Sequence, residues 1–167
     1  MLKKIVKEAP KKIMAIDPGN VESAYVIWDG STIHSFGKVL NDEMLQLLES
    51  TVFDSVVIEQ IKSYGMAVGE SIFETCVWSG RFMQKVIHNV PVNRIPRQEV
   101  KLHICKSSKA KDANVIQALI DRFAGDTPNK GKGTKKEPGF FYGFAKDIWQ
   151  AFAVAVTYYD KYINNEG

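Results

Sequence analysis

Three acids in this chain stand where an acid needs a reason. Asp17 ends the apolar run Ile13-Met14-Ala15-Ile16 and is followed by Pro18-Gly19, Glu59 ends Val56-Val57-Ile58, and Asp147 opens the apolar stretch 148–159. Apolar runs that stop at turn signals read as buried strands, so Asp17 and Glu59 are delivered to the end of a sheet. A carboxylate buried without a partner is costly. Two at one edge repel unless a cation lies between them, and hard oxygen ligands with open positions suit Mg2+ or Mn2+. Each acid also has a plainer reading: an Asp-Pro-Gly turn for Asp17, an exposed strand end for Glu59, and for Asp147 a helix N-cap with Gln150 three residues on. The recurrence of an apolar run ending in an acid weighs against the plain readings of Asp17 and Glu59.

The elements that must bring these acids together follow in order. Segments 21–28 and 31–39 are both extended and are joined by Asp29-Gly30, a strong hairpin signal, so three antiparallel strands open the chain. Asn41 is placed as the cap of an amphipathic helix carrying Met44, Leu45, Leu47 and Leu48. The run 52–59 returns as a central strand, since apolar runs flanked by helices are typical of parallel strands covered on both faces. After a loop at 63–69, the helix 70–89 has apolar residues on more than one face and is read as buried on two sides, one of them against a second subunit. A short strand at 90–95 leads to two basic helices, 96–104 and 112–123. Segment 125–143 is read from its Gly, Lys and Pro content as a mobile basic loop. The last helix, 148–159, is apolar nearly all round and must pack deeply. The order β-β-β-α-β-α-β-α-α gives an α/β fold: a mixed five-stranded sheet with an antiparallel three-strand edge and helices on both faces.

A chain of 167 residues, 45% hydrophobic, is sized for a single domain with a sizeable core. No segment approaches the ~18 to 20 continuous apolar residues of a membrane span. The basic start, 1–11, lacks a long apolar run and reads as a weakly ordered lead-in, not a signal peptide. Cys76 and Cys105 lie in no Cys-x-x-Cys motif, which suits buried, reduced thiols in a cytoplasmic protein. His34, His88 and His103 are scattered, which argues against zinc.

The net charge of +3 is unevenly placed. Between Arg94 and Lys136 there are eleven Lys/Arg against four Asp/Glu, a local balance of +7 that leaves −4 for the rest. A basic half beside an acid-bearing half suits a polyanion held next to the carboxylates. The candidate contacts are Arg94, Arg97, Lys101, Lys106, Lys109 and Lys111, with Lys132, Lys135 and Lys136 from the Gly/Lys segment. Lys111 would stand at a helix N-terminus, a natural place for a phosphate, with Asp112 read as the N-cap. Segment 130–136 is not a phosphate-binding P-loop, because no strand precedes it and the first Gly of that motif is missing.

Taken together, the chain resembles the RuvC-type Holliday-junction resolvases (crossover junction endodeoxyribonucleases), especially the short forms encoded by bacteriophages of Gram-positive hosts. The resemblance spans essentially the whole chain. It is carried by Ile16-Asp17-Pro18-Gly19, by Val57-Ile58-Glu59-Gln60, by the Lys111-Asp112 helix start, and by Asp147 with Ala151-Phe152-Ala153-Val154-Ala155-Val156-Thr157.

The resemblance implies a ribonuclease-H-like fold and a homodimeric, Mg2+-dependent endonuclease that nicks strands of like polarity at a four-way DNA junction. The family's acids correspond to Asp17, Glu59 and Asp147. Its fourth position falls on Gln150, whose amide keeps an oxygen for a metal or water but loses a charge. Two Mg2+ or Mn2+ ions about 4 Å apart would stabilise the attacking and leaving oxygens of an in-line hydrolysis. Asp17 would bridge them, Glu59 and Asp147 would each complete one side, and Lys111 would steady the scissile phosphate. Tyr64 or Met66 would wedge or stack at the junction's open centre. Three other readings stay open: a branched-DNA binding protein weakened at Gln150, a hybrid- or flap-cutting nuclease of the same fold, and a nucleotide-binding ATPase, whose fold needs two such domains.

Overall fold

The Asp29-Gly30 signal forms the expected hairpin. Gly30 takes a left-handed φ of +94°, while the Asp29 carboxylate accepts the backbone N–H groups of Ser31 and Thr32 at 2.9 and 2.7 Å. A Cβ at Gly30 would also strike the ring of Tyr159. In the computed structural model, which describes residues 11–164, this hairpin joins β2 (Glu22–Trp28) to β3 (Ile33–Leu40). The lead-in read at 1–11 lies almost wholly outside the described residues.

The remaining elements are β1 (Ile13–Asp17), α1 (Asn41–Ser50), β4 (Ser55–Gln60), α2 (Glu70–Val86), β5 (Val92–Pro96), α3 (Arg97–Cys105), α4 (Asp112–Phe123) and α5 (Asp147–Tyr158), closed by a π-helical turn, Tyr159–Ile163. The sheet order is β3-β2-β1-β4-β5, with β1, β2 and β3 antiparallel and β1, β4 and β5 parallel. No helix among the described residues is long and apolar enough to cross a membrane.

Side chains alternate across the strands, so each face has its own core. Ile13, Ala15, Ala24, Val26 and Val57 pack against α5, which is buried along its whole length after Asp147. Met14, Ile16, Tyr25, Ile27, Val56 and Ile58 pack against α1 and α2 through Met44, Leu48, Phe82 and Val86. Asp17 continues the Ile13/Ala15 row and Glu59 the Val57 row. Both acids are therefore on the α5 face, at the end where α5 begins.

Three local expectations are corrected. Asn41 is the first residue of α1 and caps nothing. Its Nδ2 donates to the Gly19 carbonyl at 2.9 Å and its Oδ1 accepts from Ser23 Oγ at 2.6 Å, while Ser23 Oγ accepts the Gly19 N–H at 3.1 Å. A tertiary use of the amide, fastening the turn just after Asp17, has won over the local one. Asn41→Ala leaves this buried network unsatisfied and is expected to cost about 1–3 kcal/mol of stability in chemical denaturation.

Second, the thiols are not both buried, and α2 packs one face on its own sheet while the face read as meeting a second subunit is uncovered among the described residues of one chain. Thr75, Ser79, Phe82 and Val86 face the sheet, whereas Phe73, Val77 and Ile87 are 60%, 54% and 52% exposed. Cys76 is exposed on that outer side and Cys105 is half-buried, so neither thiol is fully buried.

Third, segment 125–143 is a succession of tight turns rather than a free loop. Gly139 N–H donates to the Lys132 carbonyl, Phe141 N–H to the Gly131 carbonyl, and Gly133 bridges Pro138. Phe141 and Phe144 are buried, and both pack on Trp149 and Phe152 of α5.

Candidate active site

Register builds the site. Asp17 lies opposite Ala24 of β2, and Ala24 lies opposite Lys38 of β3. On the other side Ile16 pairs with Ile58, which places Asp17 beside Glu59, and Glu59 pairs with Ile95, two residues before Arg97 at the start of α3. A row across the sheet edge thus runs Lys38, Asp17, Glu59, Arg97: two acids bracketed by two cations. Asp147 enters from the first turn of α5, where Lys38 Nζ donates to its Oδ2 at 2.7 Å.

The acid pair is buried at Glu59, which is 5% exposed. Burial pushes the Asp17 carboxyl from its ordinary value up to about 8, the charges of Glu59 and Asp147 add to this, and Arg97 opposes it. Glu59 is raised as well, by burial, with Arg97 and a hydrogen bond from Asp17 holding it down. Near neutral pH the pair therefore tends to hold one proton between its two carboxyls. Like charges this close ionise together only when a cation replaces that proton. Hard carboxylate oxygens at a solvent-reaching sheet edge are the donor set of Mg2+ or Mn2+, so these residues fit such an ion.

They form a pair plus one. Among the described residues no three such side chains are grouped closely enough to hold one ion together, and Asp147 is engaged by Lys38. Gln150 is 7% exposed, one helical turn after Asp147.

Asp147 is the first helical residue, not the N-cap that its spacing to Gln150 suggests. The N-cap is Lys146, with φ +44° and ψ −121°, a conformation that non-glycine residues rarely take. Such backbone strain costs on the order of 1–3 kcal/mol and persists where the surroundings enforce it. Lys146→Gly is accordingly expected to raise stability by about 1 kcal/mol, measured by denaturant unfolding, with Asp147 left in place.

The basic candidates divide. Arg97 Nη2 donates to Asp112 Oδ1 at 2.8 Å, and its Nε is buried without a partner. Asp112 is thus held by Arg97 rather than capping α4, whose N-cap is Lys111 with its N–H on Asn114 Oδ1 at 2.9 Å. Lys101, one turn after Arg97, is near enough for its charge to act on Glu59. Tyr64 and Met66, 51% and 74% exposed, sit on the loop after β4, where Tyr64 lines a cleft of about 390 Å3 with Lys62, Pro96 and Leu102.

Lys109 follows α3, and Lys106 faces a separate cavity of about 200 Å3 beside His103, Arg122 and Asp160. There Asp160 accepts both Arg122 Nη atoms at 2.6 and 2.9 Å and pairs with His103 at 2.8 Å, tying α3 and α4 to the end of α5. Lys132, Lys135 and Lys136 lie on the turns of segment 125–143. No hydrogen bond or ion pair joins Lys106, Lys109, Lys132, Lys135 or Lys136 to the acids among the described residues.

Lys38 is the site residue that the sequence reading did not single out. The Asp29-Gly30 hairpin alone does not reveal it: a β-bulge at Ile27/Trp28 shifts the β2/β3 register by one residue, and only the shifted register places Lys38, through Ala24, in line with Asp17.

No protein-family model matches the sequence, and no curated protein does. Solved structures do match. The RuvC structure of Thermus thermophilus aligns with a TM-score of 0.63 at 16% identity, covering 90% of this chain and 95% of that one. T. thermophilus RuvC in complex with a Holliday junction substrate gives 0.64 at 14% identity, covering 89% and 92%. The yeast mitochondrial Holliday junction resolvase Ydc2 gives 0.58 at 11% identity, covering 89% and 78%. Strand order, the helix packed on the acid-bearing face and these neighbours together give the chain the ribonuclease-H-like fold of the RuvC-type resolvases.

Proposed function

We propose that this chain is a metal-dependent endodeoxyribonuclease that resolves four-way DNA junctions as a homodimer. The observation that carries the reading is the Asp17/Glu59 pair, buried at a sheet edge, sharing one proton and flanked by Arg97 with an unused Nε. A divalent cation there would stabilise the charge that develops on the phosphate and lower the pKa of an attacking water. Asp17 and Glu59 would hold it, with Asp147 and the Gln150 amide next in reach. Arg97, held on Asp112 beside the pair, would add its positive charge next to the scissile phosphate. Lys101 and Lys111 lie beside it and extend the same positive ground. Tyr64 and Met66 are exposed close by, placed to stack on or wedge between bases at an open junction centre.

The dimer reading rests on α2. Phe73, Val77 and Ile87 form an apolar stripe with Gly80 in its middle, and a Cβ on Gly80 would meet nothing within 4 Å among the described residues. Gly inside a helix costs about 0.5–1 kcal/mol against Ala, and close approach of a second helix gives a reason to keep it. Two copies would supply the two cuts that a four-way junction needs. The junction as substrate is further supported by the complex of T. thermophilus RuvC with a Holliday junction.

A second reading, a branched-DNA binding protein, is favoured by Gln150 and by the Lys38 hold on Asp147. Incubation of the protein with labelled four-way junction, flap and RNA–DNA hybrid in Mg2+ or Mn2+ separates the cases. Selective nicking of the junction is expected. A shifted but uncut junction in both metals supports the binder, and preferential cutting of hybrid or flap overturns the junction assignment.

A further inference from the structure

We infer that Lys38 is a built-in cation of the acid centre, holding the place beside Asp147 where a second divalent ion would otherwise sit, so that each protomer works with one metal ion. This rests on the reading of the centre as a metal-dependent nuclease and adds to it which residue does the work of a second ion.

Lys38 Nζ is already at hydrogen-bond distance from Asp147, 2.7 Å from Oδ2. The pair is open to solvent, with the Lys38 and Asp147 side chains 35% and 48% exposed, and Ala24, the residue between Lys38 and Asp17 in the row, is fully buried and too short to intervene. The hydrogen bond that Lys38 donates to Asp147, with the charges of Asp147, Glu22 and Asp17, raises the pKa of the ammonium above its ordinary value. The carboxylate inventory fits as well. Asp17, Glu59, Asp147 and the Asp112 that Arg97 binds face the cations Lys38, Arg97 and Lys101, which leaves one net negative charge, less than half of what two divalent ions carry. Gln150 removes the charge that a fourth acid would have added, on the same helical turn as Asp147. The spatial grouping agrees, as the acids stand as a pair plus one and not as a single cluster.

In this role Lys38 donates hydrogen bonds to an oxygen on which negative charge develops, and it neither loses nor gains a proton. Ammonium is a compact point charge suited to that task.

The rival is a latch, in which Lys38 holds Asp147 only in the metal-free protein and swings away to admit a second ion. Mn2+ binding to the DNA-free protein, followed by electron paramagnetic resonance and calorimetry, separates the two in wild type, Lys38→Ala, Lys38→Met and the double variant Lys38→Ala/Gln150→Asp. Expected are one Mn2+ per protomer in wild type and two in the double variant. Expected too is a loss of junction cleavage on the order of 10²-fold in Lys38→Ala and Lys38→Met, with junction binding retained. Lys38→Met keeps the length of the side chain, so agreement between the single variants assigns the loss to charge, while a loss in Lys38→Ala alone overturns the role. Two Mn2+ in a wild-type protein that cuts junctions overturns the inference and leaves the nuclease reading standing, as does unchanged cleavage in both single variants. A wild type that binds no Mn2+ and cuts nothing overturns the nuclease reading, and the inference with it.

Discussion

Asp17→Asn is expected to reduce junction cleavage by about 10³-fold or more, roughly 4 kcal/mol of lost transition-state stabilisation, while junction affinity stays within a few-fold of wild type. The two readouts part because they belong to different groups. Cleavage needs a charged Asp17 beside Glu59, whereas affinity comes from the basic ground of Arg97, Lys101 and Lys111, and from any contacts of Lys132, Lys135 and Lys136. Folding is not expected to suffer. In the metal-free protein both carboxyls are raised and hydrogen-bonded to each other, and an Asn amide can donate to Glu59 from the place of Asp17. The variant should therefore melt at or above the wild-type temperature at pH 8 in chelator. Parallel gel-shift and cleavage assays on one preparation check the outcome, and equal loss of both in a folded variant would count against the assignment.

The second large effect is a dependence of stability on pH that metal reverses. Asp17 titrates at about 8 in the folded chain against an ordinary 3.8, and Glu59 is raised too. Between these values the folded protein holds a proton that the unfolded chain has released, so the associated stability is fully present below the unfolded pKa and is lost as pH rises through the folded one. Asp29 and Asp160 are lowered, which confines their loss of stability to acid pH, and Lys38 is raised, which matters only at alkaline pH. In chelator, the melting temperature should thus fall from pH 5.5 to pH 8.5. Mg2+ or Mn2+ binds the ionised pair and stabilises by mass action, most at the high end, so the slope should flatten or change sign. Asp17→Asn should be flatter in chelator and indifferent to metal. A wild type whose stability rises across this window without metal would remove the shared proton from the site.

Much of this site was legible in the sequence, for a physical reason. An acid at the end of an apolar run can be found one strand at a time, and Asp17 and Glu59 needed nothing else. The Asp29-Gly30 turn is equally local and was read correctly. What escaped depends on groups far apart in the chain. Lys38 matters only once three strands are in register, and its partner Asp147 lies 109 residues away. Asn41 looked like a cap because its tertiary partners, Gly19 and Ser23, are invisible to a rule about the next three residues. Segment 125–143 looked free because Gly, Lys and Pro dominate it, although Phe141 within it and Phe144 just after it anchor it to the core. The outer face of α2 is apolar as its sequence indicates, and among the described residues of one chain nothing covers it, which leaves Cys76 exposed.

The most direct test is to map the cuts on all four strands of a labelled four-way junction after incubation with wild type and with Asp17→Asn, in Mg2+ and in chelator. The expected result is one pair of nicks in strands of like polarity with wild type and Mg2+, and none in either control. An intact junction that the wild-type protein nevertheless binds, or nicks that persist in chelator or in Asp17→Asn, would contradict a metal-dependent centre built on Asp17 and Glu59.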